Sequence, residues 1–125
     1  MATESSVSEC AARLFSVIRK GTASDFIDLL DSDDFDYHTT AQAIQRVLEE
    51  SKPEDWESAC VWFFPEVWYR IGGFVQTGSD VEQAIRGIAY RWLALPEWGD
   101  AKFDGFRSFA LDFLYYHGPP PSSPT

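Results

Sequence analysis

Histidine and cysteine are scarce in this 125-residue chain, which has two of each: His38, His117, Cys10 and Cys60. They form no spaced ligand pattern, which argues against a zinc or iron–sulfur module. Both cysteines sit on apolar helical stripes and read as buried free thiols rather than as a disulfide. No apolar run approaches the ~18 residues that a membrane span needs. The opening stretch MATESSVSEC lacks a basic region followed by an apolar one, so it is no secretory signal. A cytoplasmic protein that binds no membrane is the default expectation. Bases are also few, ten against twenty acids, and the formal net charge is −10. Such a balance disfavours direct contact with nucleic acid phosphates.

What the chain has in quantity is aromatic and apolar side chains. Apolar residues make up 45% of it and aromatics 16%, enough to exclude disorder for most of its length. A single domain of this size can bury a core without disulfide or metal staples. Periodicity predicts an all-α fold, a compact bundle of five or six helices. Ser6 and Glu9 read as a capping box opening a helix with the stripe Val7, Cys10, Ala11, Leu14, Val17 and Ile18, closed at Gly21. Ser24 is the expected cap of a second segment. Thr39 with Gln42 is the expected start of a third, with the stripe Ala43, Ile44, Val47 and Leu48. Pro53 suits a first helical position, predicting a fourth helix to about Phe64. Ser79 with Glu82 opens the clearest stripe: Val81, Ala84, Ile85, Ile88, Ala89, Trp92 and Leu95, stopped by Pro96. On the same helix Tyr90 shares a side with Gly87 and Ala94, which suggests a second packing face and its burial. A last helix from near Asp100 to His117 carries a broad apolar arc of Phe103, Phe106, Phe109, Ala110, Phe113, Leu114 and Tyr116.

Residues 67–77 are the ambiguous part. A helix is favoured, and a short hairpin is the alternative, because Gly72-Gly73 separates two runs of β-branched and aromatic residues. The expected domain is 1–117, followed by a disordered Pro/Ser-rich tail over 118–125, GPPPSSPT.

The negative charge is concentrated. Residues 25–66 contain twelve acids and two bases, while the rest of the chain contains eight of each. Within that window, DFIDLLDSDDFD places six aspartates in twelve residues. A calcium loop of the EF-hand type needs oxygens at positions 1, 3 and 5, Gly at 6 and Glu at 12. Starting from Asp31 or from Asp34, no register supplies them, so no metal site is expected. General acid–base catalysis needs a carboxylate sequestered from water. Nothing adjacent sequesters one here, and no nucleophile motif lies near His38. The expectation is therefore no enzyme, no catalytic residues and no cofactor.

Two readings of the acids remain, a solvated face and a docking surface. Docking is favoured because the acidic surplus runs on through Glu49, Glu50, Glu54, Asp55 and Glu57, with Phe35, Tyr37, Trp56 and Trp62 interleaved. Trp62 lies off the apolar face of the predicted fourth helix, beside the acids. The candidate partner-binding residues are Asp31, Asp33, Asp34, Asp36, Tyr37, Glu49, Glu50, Glu54, Asp55 and Trp62. The natural complement is a basic protein surface, on a toxin or a complex subunit. By physical type this is a small acidic inhibitor of the immunity-protein or antitoxin kind, although the residues match no particular immunity family. The alternatives are a helical adaptor or assembly factor, an acidic nucleic-acid mimic of the anti-restriction or anti-CRISPR kind, and an enzyme of unfamiliar type.

Overall fold

A computed structural model of the chain describes residues 4–59, 70–74 and 79–117. It is an all-α bundle, with no strand among the described residues. In chain order the main helices are α1 (Glu4–Lys20), α2 (Ala23–Leu30), α3 (Tyr37–Glu50), α4 (Asp80–Ala94) and α5 (Asp104–His117). Short 3-10 turns lie between them at Pro53–Trp56, Pro96–Gly99 and Ala101–Phe103. Helix α3 is central. It packs on α1 along one side and on α4 along another, and α5 packs on α4.

The core follows the stripes expected from periodicity. Cys10, Leu14 and Ile18 of α1 meet Ala43, Ile44, Val47 and Leu48 of α3 in one cluster with Ile85, Ile88 and Ala89 of α4. At the other end of that cluster the aromatics interlock edge to face. Trp56 lies 5.0 Å from Phe106 between ring centroids, and 6.2 Å from Trp92. Phe109 and Phe113 extend the row at 6.3 Å. The indole N–H of the fully buried Trp56 donates to Ser51 Oγ at 2.7 Å, so its polar atom is satisfied inside the core.

The ends of the elements differ from expectation in specific ways. Ser6 lies inside α1, which begins at Glu4. Helix α2 is capped by Thr22, not Ser24. The Thr22 hydroxyl accepts the Asp25 N–H while the Asp25 carboxylate accepts the Thr22 N–H, a complete capping box. Helix α3 begins before Thr39. Its cap is Asp36, whose carboxylate accepts the Thr39 N–H at 2.7 Å. Thr39 and Thr40 are instead buried, and the Thr40 hydroxyl donates to the Asp36 carbonyl. Pro53 does stand at a first helical position, but the helix it opens is a 3-10 turn ending at Trp56. Glu57 and Ser58 continue as a turn and Ala59 is buried, while positions 60–64 of the predicted fourth helix, with Cys60 and Trp62, lie outside the described residues.

Residues 70–72 are helical. The Gly73 N–H bonds the Arg70 carbonyl and the Phe74 N–H bonds the Ile71 carbonyl, so the two glycines close a helical turn rather than a hairpin. The other positions of 67–77, and the tail 118–125, lie outside the described residues. Three expected packing residues are exposed: Tyr90, Leu95 and Tyr116.

Candidate partner-binding surface

Eleven of the twelve acids in the 25–66 window are described, and ten of them are exposed. Asp55 is the half-buried exception. The fold sorts them by use. Asp25 and Asp36 are helix caps. Asp55 accepts the Lys52 N–H at 2.9 Å and a forked contact from Arg19 at 3.0 Å, so it braces the 3-10 turn against α1. Asp36 titrates below the ordinary aspartate range, chiefly because the Thr39 backbone N–H bonds its carboxylate.

Arginines from outside the window close on the connection between α2 and α3. Arg13 of α1 reaches Asp34 at 3.2 Å and sits over the Phe35 ring, 5.2 Å from its centroid. Arg70 approaches Asp31 at 3.6 Å. Glu57 bonds Lys102 at 2.7 Å, and Arg46 bridges Glu4 and Glu50. The hydrogen bond to Arg46 lowers the Glu4 pKa and raises that of Arg46. Local charge in space is therefore less negative than the sequence window suggests. Asp28, Asp33, Glu49 and Glu54 remain exposed, with no cation in ion-pair reach among the described residues.

The expected site residues fall into two groups at opposite ends of α3. Asp31, Asp33, Asp34, Asp36 and Tyr37 cluster at its N-terminus. Glu49, Glu50, Glu54 and Asp55 cluster at or just beyond its C-terminus. Fourteen helical residues separate the groups by about 20 Å. Between them runs the solvent face of α3, with His38, Gln42 and Glu49 exposed and Gln45 half-buried at helical spacing. Gln42, Gln45, Arg46, Glu49 and Glu50 line a groove of about 360 Å³ that Asp80 and Val81 close from the start of α4. The two glutamines and Asp80 were not in the sequence-based set. The wheel of α3 carries the signal for the glutamines, because both lie opposite Ala43, Ile44 and Val47. Asp80 is brought there only by tertiary packing.

Tyr37 stands apart from the acids around it. Its hydroxyl donates to the Gly73 carbonyl at 2.8 Å, and its ring stacks on Phe74 at 5.2 Å. These contacts clasp residues 70–74 to the start of α3. Elsewhere, Cys10 is a buried free thiol whose pKa is pushed up to about 11 by burial, which makes it a packing residue. Among the described residues no group of three or more His, Cys, Asp or Glu side chains is placed to hold a metal ion. No described helix is long and apolar enough to cross a membrane. Comparison with known proteins finds no matching family model, no matching curated protein and no matching solved structure.

Proposed function

We propose that this chain is a small acidic binding protein that neutralises a basic protein partner, in the manner of a toxin-immunity protein or antitoxin. The observation that carries this reading is the exposure of acids the fold does not use. Asp28, Asp33, Glu49 and Glu54 cap no described helix and bridge no described element, and Asp33 on one side with Glu49 and Glu54 on the other flank the two ends of α3. A net charge maintained at a cost in self-repulsion suits recognition of the opposite charge. The contact surface runs along α3, with acids at its two ends and Gln42 and Gln45 between them. A span of about 20 Å fits within one protein–protein interface of standard size, roughly 800 Å² per partner.

The surface ion pairs do not oppose this reading. Exposed pairs such as Arg13–Asp34 and Arg70–Asp31 contribute about 0–1 kcal/mol, so a partner's lysines and arginines can take over those carboxylates. The test is an affinity pull-down from lysate, with the intact chain and with a variant reversing Asp33, Asp34, Glu49 and Glu50 to lysine. The intact chain is expected to capture a basic protein that the variant does not. Equal capture by both would remove the acidic face from the account, and capture of acidic or neutral proteins alone would remove the basic partner.

A further inference from the structure

The outer face of α5 carries large exposed side chains, of which the Tyr115 ring meets that of Tyr116 edge to face at 5.1 Å. Leu111 is 55% exposed and Tyr115 81% exposed. With the exposed Arg107 they recur at four-residue spacing, which aligns them along one face of the helix. Phe106, Phe109, Ala110 and Phe113 occupy the opposite face, inside the core. The burial of α5 is therefore satisfied without Leu111 and Tyr115. Leu111, Tyr115 and the neighbouring Tyr116 leave apolar surface exposed on the C-terminal half of α5.

We propose that this face is an isologous interface with a second copy of the same chain, the two α5 helices packing antiparallel about Leu111. The stripe is self-complementary. Arg107 and Tyr115 lie four residues to either side of Leu111. A two-fold axis through Leu111 therefore sets Leu111 on Leu111 and each Arg107 guanidinium over the Tyr115 ring of the other copy. The charge distribution permits this approach. Net charge outside residues 25–66 is zero, eight acids against eight bases, so the copies meet through a neutral part of the chain. The inference does not rest on the acidic surface and can fail without it. The stripe is short, and the area it buries falls at the low end of specific interfaces, below about 1,200 Å² in total. The dimer is correspondingly weak and concentration-dependent.

Sedimentation velocity on the full chain, across a concentration series up to millimolar, tests it. The weight-average sedimentation coefficient should rise from monomer toward dimer, and added salt should favour the dimer by screening residual repulsion between two acidic molecules. Leu111→Asp should hold the chain monomeric. Arg91→Glu changes charge away from the stripe and should leave dimerisation in place. Tyr115→Ser, at a position still more exposed, gives a second break if Leu111→Asp perturbs folding by circular dichroism. Arg107→Tyr and Tyr115→Arg should each weaken the dimer, and their combination should restore it by exchanging the two halves of the same contact. A chain that stays monomeric throughout the series overturns the proposal, as does a dimer indifferent to Leu111→Asp and Tyr115→Ser.

Discussion

Asp36 and Glu82 are both carboxylates that the fold has put to structural use, in opposite surroundings. Asp36 is exposed and caps α3. Its pKa is lowered in the folded state by the Thr39 N–H, so the stabilisation it brings is present above its unfolded pKa and is lost as pH falls through the folded value. Asp36→Ala should lower the melting temperature at neutral pH. The difference from the parent should shrink below about pH 4, the ordinary aspartate range, and Asp36→Ser should recover most of the loss. Thermal melts across a pH series check all three outcomes. Glu82 is fully buried and holds Arg86 at 2.7 Å one turn on, while its own N–H bonds the Ser79 cap. Removing one partner of a buried ion pair leaves the other uncompensated, so Glu82→Ala should cost on the order of 3–5 kcal/mol in urea denaturation. The spacing Ser79-x-x-Glu82 revealed the cap. It did not reveal that the glutamate turns inward, because nothing local distinguishes a solvated N3 carboxylate from one that packs.

At the scale of elements, α5 supplies the core with Phe106, Phe109 and Phe113. Phe113 has no solvent exposure, and Phe113→Ala should destabilise the protein by about 3–5 kcal/mol. A urea melt with unchanged slope and a lowered midpoint is the expected result. Helix existence and the buried stripes were legible in the sequence because periodicity is a property of the element alone. Leu14, Ile44, Ile88 and Phe106 are all buried where the wheel puts them. Boundaries were less legible because neighbouring residues compete to cap. Asp36 displaces Thr39, and Thr22 displaces Ser24, in each case two or three positions upstream. Tyr90, Leu95 and Tyr116 misled for a different reason. An aromatic or leucine at the margin of an apolar arc is buried only if another element arrives to cover it, and that is decided by topology.

At the scale of the whole molecule, the same limit applies to charge. The sequence located the acids, but the bases that fold onto them, Arg13, Arg19, Arg70 and Lys102, are distant in the chain. Tertiary structure brings these cations to Asp34, Asp55, Asp31 and Glu57, and leaves Asp33, Glu49 and Glu54 as the expected site acids with open carboxylates among the described residues. It also reassigns Tyr37, whose hydroxyl and ring are engaged by Gly73 and Phe74. Tyr37→Phe should therefore loosen residues 70–74, seen as faster amide exchange there, and should leave partner association unchanged.

The central claim is that the two acidic ends of α3 meet a basic surface. Electrostatic complementarity acts mainly on the association rate and is screened over a Debye length of about 8 Å at physiological salt. The most direct measurement is the association rate constant for the captured partner across a salt series, by stopped flow, for the parent and for charge reversals at Asp33 and Asp34, at Glu49 and Glu50, and at all four. The account predicts a parent rate that falls with salt, a slower rate for each double reversal, and the slowest and least salt-sensitive rate for the quadruple one. Rates that are equal across the four proteins and flat in salt would contradict it.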